Sequence, residues 1–461
     1  MLDPTTQFIV DLFLLMGGAV LAGEIATQLG QPAMVGQLLI GVVLGPTLLG
    51  PYFGLTGLTA QLGALQILAT VFVLFMAGLE VSPEQLYNMD LSHAALGAGV
   101  FFLPFLASAA VVPLVLHGVT VFEALYIAIT LSITALPVMG LMLVEFGLSG
   151  TRIGKMLMNV ALVGELLAVT VFSILLKMGT GQGNPWVTLG IAFVSVALFI
   201  VVMFLIHNLL LLLRNARLWE PLVKQFSRTW HSRQGSFAIL MVMVVGSTLF
   251  SQFLGLTYVI GAFYAGVLVT RESAGAAAHT SISSIFDAMT WGFFVPLFFA
   301  LVGVEMNLHL IAMVAGLIAF VSLLTVAILS KFLAGWGLAS QFGWGESDAR
   351  AIGFMVGSRG AVELAMATIL LTDGIIQTEA FTIIAAVGIV ATIVAPIGAM
   401  WAWKGDPARY AAVEKSKSER PPPAMTWLRP AAPPPLREHV IPPEEKPPAV
   451  EPPPLPPPRK R

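Results

Sequence analysis

The chain has no cysteine and very little charge. With no Cys among 461 residues, disulfides and thiolate metal sites are excluded. Lys, Arg, Asp and Glu together make up 10% of the sequence, against roughly 25% in an ordinary soluble domain. So few charges cannot cover the surface of a soluble fold. No Lys or Arg precedes Arg152, and the net charge of −2 supplies no basic footprint for nucleic acid. The seven His show no metal-ligand spacing, and no glycine-rich phosphate loop occurs in the C-terminal region. The sequence therefore offers no sign of an enzyme, a cofactor or a nucleotide-binding domain. The N-terminus has neither a basic leader nor a small-residue cleavage pattern, so its first apolar stretch reads as a membrane span.

Apolar residues fill the space that charge leaves. They make up 57% of the chain, and the mean hydropathy is +0.89. A bilayer-spanning helix needs about 20 mostly apolar residues. On that rule the sequence predicts an all-α polytopic membrane protein with thirteen spans, at roughly 7–23, 33–49, 61–79, 93–116, 120–145, 157–177, 187–212, 237–254, 256–271, 286–305, 310–341, 351–371 and 380–402. The eleventh is long enough to be tilted or divided.

The basic residues give an independent check. With thirteen spans, Arg152, Lys155, Arg214, Arg217, Lys224, Arg228, Arg233, Arg271, Arg350 and all 11 Lys and Arg from Lys404 onward fall on one side. Only Lys177 falls on the other, while Lys331 and Arg359 lie within or near spans. Basic residues stay cytoplasmic. The N-terminus is thus expected outside and the C-terminus inside, in a bacterial inner membrane.

Residues 1–403 read as the membrane domain and 404–461 as a tail. The tail holds 18 of the 30 Pro. Such a composition cannot bury a core and is expected to be disordered or polyproline-like. Its basic, proline-rich end suits either a solvated tail or docking to a proline-reading domain or anionic lipid.

Charge inside the bilayer core costs at least about 2.5–3.5 kcal/mol per group, so each buried charge is a functional candidate. Glu165 lies in span six with apolar residues on both sides, and Lys331 sits similarly in span eleven. Lys331 has a second reading, in which it snorkels to the cytoplasmic interface. Span five carries Ser132, Thr134 and Pro137. Proline removes a backbone donor and breaks or kinks the helix, and Ser132 and Thr134 could serve either the freed backbone or an ion. Span twelve carries Gly357, Arg359, Gly360 and Glu363, a second expected break. Arg359 and Glu363 are four apart on one face, so a simple salt bridge stands beside direct ion contact. Spans five and twelve are seven apart and run in opposite directions, as an inverted repeat with a site at its interface requires. Gly36, Gly41 and Gly45 of span two permit close helix packing.

The segments Pro32–Pro46, Ala77–Glu80, Ser132–Pro137, Phe294–Phe299 with Gly303, Lys331 and Ser358–Glu363, taken together and in order, resemble the monovalent cation:proton antiporter-2 family of sodium/hydrogen and potassium/hydrogen exchangers. The resemblance covers roughly residues 7–402. It implies a thirteen-helix exchanger fold with two broken helices crossing at mid-membrane, and a likeness to exchangers that work as homodimers. It implies that Glu165 binds a proton or a monovalent cation, Na⁺ or K⁺, with Thr134 and Ser132 nearby. Lys331, Arg359 and Glu363 would balance charge. Relatives commonly carry a second polar or acidic residue before the carboxylate, with which the lysine pairs. Here Gly164 stands in that place. The alternatives are a Kef-like potassium efflux system and a non-transporting membrane scaffold or sensor.

Overall fold

The structure is a computed structural model that describes residues 3–29, 31–53, 57–81, 89–180, 184–215, 233–269, 286, 288–406, 410–411 and 413–414. Most of the proline-rich region expected from 404 onward lies outside the described residues. Every regular element among the described residues is a helix. In chain order they are α1 (Pro4–Gln28), α2 (Ala33–Leu44), α3 (Ala60–Leu79), α4 (Leu91–Val115), α5 (Val121–Thr130), α6 (Leu136–Glu145), α7 (Arg152–Thr180), α8 (Pro185–Asn215), α9 (Arg233–Phe253), α10 (Tyr258–Leu268), α11 (Val295–Glu305), α12 (Val314–Gln341), α13 (Glu346–Met355), α14 (Ala361–Thr372) and α15 (Thr378–Trp403). Short helical turns cover Gly50–Phe53, Thr290–Phe294 and Leu308–Ala312.

Among the described residues, seven helices are long and apolar enough to cross a bilayer: α1, α3, α4, α7, α8, α12 and α15. The remaining apolar helices are shorter. The expected division of span eleven lies at its start, where Leu308–Ala312 stops at Met313 and α12 begins. The expected breaks in spans five and twelve are present as the α5–α6 and α13–α14 pairs.

Burial sorts the long helices into two groups. Some 61–67% of the apolar window is buried in α3, α7 and α15, against 28% in α4, α8 and α12 and 22% in α1. The first three form the interior; the other four present one apolar flank outward, as lipid requires. In α12 the buried positions Ala319, Leu323, Ala327, Lys331 and Ala334 recur every three or four residues. Lys331 therefore sits in the middle of the inward stripe, fully buried, and does not snorkel.

Local signals explain several helix starts. Asp3 Oδ2 accepts from the Thr5 and Thr6 amides at the start of α1. Thr120 and Glu123 close a reciprocal capping box on α5, satisfying two otherwise orphaned amide groups. Glycine sets the closest helix approaches. A β-carbon on Gly41 would strike the Ala300 carbonyl and lie 2.9 Å from the Gly303 Cα, so α2 and α11 meet backbone to backbone. Gly78 and Gly266 do the same for α3 and α10. Where lipid is as apolar as the helix surface, such van der Waals contact, rather than water exclusion, holds helices together.

Gly41→Val is therefore expected to destabilise the protein by about 1–3 kcal/mol or more through overpacking. Gly17→Ala, with nothing within 4 Å of the added carbon, serves as the control. Thermal melting of the two detergent-purified variants, followed by size-exclusion chromatography, measures the difference; equal midpoints would refute the close-approach argument.

Candidate functional site

Two interrupted helices cross in the interior. In the first, α5 ends at Thr130 and α6 begins at Leu136, with Pro137 in the first helical turn. There its fixed φ suits the helix, and its missing N–H would have had no partner anyway. In the second, α13 ends at Met355 and α14 begins after Gly360. The Ala135 amide donates to the Ser358 carbonyl at 3.1 Å, joining the two interruptions directly. Gly360 is extended, and a β-carbon there would come within 2.7 Å of Ala135 Cβ. Glycine at 360 is thus required by the crossing itself.

Each broken helix exposes two bare ends inside the protein, and each end needs a partner. Glu165, fully buried on α7, accepts from the Leu136 amide at 2.9 Å at the start of α6. Glu363 occupies the first turn of α14. Arg359 Nη1 donates to the Thr130 carbonyl, the last of α5, at 3.2 Å. Lys331 Nζ donates to the Val356 carbonyl, just past α13, at 3.3 Å, and also to Thr134 Oγ1. Thr134 in turn donates to the same Val356 carbonyl at 2.9 Å. Acids thus face the two helix starts and cations the two helix ends, the arrangement that complements the helix dipole at each.

The site residues expected from the sequence divide on this geometry. Arg359 and Glu363 form an ion pair at 3.2 Å, both buried. Lys331 is held by Thr134 and Val356, and no ion pair between Lys331 and Glu165 exists among the described residues. Thr134 is accordingly engaged by the lysine. Ser132 Oγ donates at 2.6 Å to the Ala128 carbonyl one turn back in its own helix and so finishes α5. The space beside Gly164 is open: an added β-carbon would meet only Thr134 Cβ, at 3.9 Å. Gly357 and Gly360 lie in the second interruption.

Several polar atoms remain without a partner, which marks where a mobile ion can be met. Glu165 Oε2, Glu363 Oε2, Arg359 Nε and Nη2, and Ser358 Oγ are all buried and unpaired. A small cavity opens against Arg359 and Glu363, walled by Met34, Leu38, Phe299 and Gly388. None of the groups supplies a cluster suited to a multivalent metal among the described residues.

Some contributors were not singled out from the sequence. The carbonyls of Thr130 and Val356 are backbone atoms and leave no side-chain signal. Thr392 of α15 donates to the Arg359 carbonyl at 3.1 Å and braces the second interruption. Glu80, at the end of α3, interacts electrostatically with Glu165; its place in the Ala77–Glu80 segment was the available clue.

With this geometry in hand, comparison with known proteins decides the family. The model of the family described as sodium/hydrogen exchanger, transmembrane, matches residues 13–405. The chain belongs to the sodium/hydrogen exchanger family. It is 26% identical over 394 residues to the Na⁺/H⁺-K⁺ antiporter GerN of Bacillus cereus, covering 85% of this chain and 95% of that one. It is 24% identical over 411 residues to the Na⁺/H⁺ antiporter NhaS4 of a Synechocystis strain, covering 85% and 97%. The structure of the antiporter MjNhaP1 from Methanocaldococcus jannaschii superposes with a TM-score of 0.64 at 15% identity, over 91% of this chain and all of that one. This exchanger-family chain is a multi-pass membrane protein with the antiporter fold.

The Arg359–Glu363 pair generates a prediction. Arg359→Met or Glu363→Leu alone leaves a buried charge uncompensated and should cost about 3–5 kcal/mol, whereas the double variant should lose much less than the sum. Melting midpoints of the three variants test this, and strict additivity would show that the two charges act independently.

Proposed function

We propose that this exchanger is a secondary antiporter that swaps a monovalent cation, Na⁺ or K⁺, for H⁺, with Glu165 as the group that carries either one. The carrying observation is a fully buried carboxylate with one oxygen bound by the Leu136 amide at a broken helix start and the other unpaired. The bound oxygen fixes the carboxylate at the crossing. The unpaired oxygen is the atom that a proton or a partly dehydrated cation can reach. Binding of one excludes the other, because both need that oxygen. Arg359 and Lys331 hold the neighbouring helix ends, so the exchange of one positive charge for another at Glu165 leaves the surrounding field unchanged. The crossing, rigidly bonded through Ala135 and Ser358, would present this site alternately to the two sides. Antiport names among the relatives support the reading, and they include both Na⁺/H⁺ antiporters and a K⁺/H⁺ antiporter of Saccharomyces cerevisiae.

The topology proposed with it has thirteen crossings. It is supported by the seven long helices together with α2, the α5–α6 pair, α9, α10, α11 with its preceding turn, and the α13–α14 pair. With thirteen crossings the termini lie on opposite faces, and the distribution of basic residues supports an N-terminus outside and a cytoplasmic C-terminal region, in a bacterial inner membrane. The outward apolar flanks of α1 and α8 would meet lipid or a second copy in a homodimer. The exchange unit is residues 1–403, and truncation after Lys404 should leave exchange intact.

Two expected outcomes test the mechanism in proteoliposomes with a pH-sensitive dye. Glu165→Gln should fold and melt like the wild type yet show no exchange with Na⁺, K⁺ or Li⁺ pulses; a dye response equal to wild type would remove Glu165 as the carrier. Exchange should also be electroneutral, one proton per cation. Lys331 is tied to Thr134 and a helix end, and Gly164 offers no second acid. With sodium as cargo and the potential clamped by potassium and valinomycin, the rate should be the same at every potential. A rate that climbs with potential in wild type but not in Lys331→Gln would make the lysine a second proton carrier and overturn electroneutrality.

A further inference from the structure

A half-buried acid lies away from the crossing, at the end of α11. Glu305 Oε2 accepts from Gln66 Nε2 of α3 at 2.8 Å. Gln66 is 1% exposed, and its other terminal atom, Oε1, is buried with no hydrogen-bond partner. An amide oxygen is an acceptor only, so the missing partner must be a donor or a cation. Leaving such an acceptor buried and unpaired costs about 1–3 kcal/mol. Because Oε1 and Nε2 share one carbon, the orphaned oxygen lies beside the Glu305 carboxylate that Nε2 already binds.

We propose that Glu305 and Gln66 form a second proton-binding site, distinct from Glu165. A proton taken from water onto the free oxygen of Glu305 turns that group into a donor. Neutral Glu305 then donates to Gln66 Oε1 while Gln66 Nε2 donates back, and the two side chains close a ring of two hydrogen bonds. No bond other than O–H forms, and loss of the proton to water reverses the step. Protonation thus satisfies the one polar atom that the ionised pair leaves stranded.

The charged surroundings agree. Tyr258 of α10 is close enough to feel the charges of both Glu305 and Asp373, the latter at the end of α14. Glu363 of α14 is committed to Arg359, and Asp11 of α1 is bonded to Gln7 at 2.7 Å. Helix α2 carries no ionisable residue. His309, four residues on, bonds the Thr47 carbonyl at 3.2 Å. No ion pair to Glu305 exists among the described residues. A carboxylate partly withdrawn from water with no cation paired to it favours the neutral, protonated form.

The consequence rests on the exchange reading and its topology, which put this end of α11 at the outer face. There ionised Glu305 draws cations toward the mouth, and its protonation removes that attraction. The site itself does not depend on that reading, and the primary experiment reads the proton directly.

Infrared difference spectra of the full chain in liposomes, between alkaline and acidic pH, report the carbonyl stretch of any protonated carboxyl group. The Glu165→Gln background removes the crossing acid. In that background a titrating carboxyl band is expected. It should vanish in Glu165→Gln/Glu305→Gln, and it should shift to higher frequency in Glu165→Gln/Gln66→Ala, where the acid loses its acceptor. If Glu305→Gln fails to fold, Glu305→Asp should retain a band at an altered position. Persistence of the same band without Glu305, or an unmoved band without Gln66, overturns the proposal. Transport adds a separate arm: Glu305→Gln should raise the external Na⁺ KM several-fold at alkaline external pH and leave it nearly unchanged at acidic pH. Glu165→Gln abolishing exchange while the Glu305 band remains would uphold both readings; an inactive wild type with the band intact would sink only the exchange reading.

Discussion

Four helix ends buried where water cannot reach them impose the constraint on which the rest of this structure depends. An intact helix hides its polar ends at the membrane surface, but the α5–α6 and α13–α14 interruptions bring theirs into the interior. Each bare end carries a partial charge of the helix dipole, about half an elementary charge. The chain meets the two starts with Glu165 and Glu363 and the two ends with Arg359 and Lys331. Four full charges and four partial ones thereby offset one another. This also explains why a chain so poor in charge keeps these four ionisable residues together at the crossing. Only Glu165 among them retains both a fixed position and a free oxygen without a partner of opposite charge, and that separates the carrier from the groups that support it.

The neighbouring helices are arranged to hold this balance at close range. Glycines on α2, α3, α10 and α11 let backbones touch, so α2 packs on α11 and α3 on α10 at the closest range. Helix α12 runs unbroken beside the crossing and delivers Lys331 from a long, regular stripe. Thr392 of α15 reaches the interruption from the other flank. The crossing is thus supported by continuous helices, which supply the rigidity that interrupted ones lack.

Much of this was legible in the sequence, and the reasons are local. Pro137 and the Gly357–Gly360 segment announce helix interruptions through backbone chemistry that acts within a few residues. Glu165, Lys331, Arg359 and Glu363 stand out because charge is rare in apolar runs. The Arg359–Glu363 pair could be read from a four-residue spacing. Partnership across the fold was not legible. Lys331 sits on Thr134 and Val356, rather than on Glu165, because segments 222 residues apart cross there. Half of that contact is a backbone carbonyl, which every residue possesses and no motif reveals. Ser132 illustrates the same limit, since a hydroxyl can turn to its own helix as readily as to an ion. The Gln66–Glu305 bond spans 239 residues and was invisible for the same reason.

Those long separations bear on how the protein is made. Thr130 meets Arg359 across 229 residues and Thr134 meets Lys331 across 197. A ribosome adding about 5–20 residues per second therefore leaves the first interruption waiting roughly 10–45 s for its partners. During that interval the bare Thr130 carbonyl has only the first half of the chain, or the aqueous cleft of the insertion machinery, to shelter it, whereas the Leu136 amide meets Glu165 after 29 residues. The N-terminal half cannot settle into its final form as it emerges. Its maturation must wait for the last third of the message to be translated.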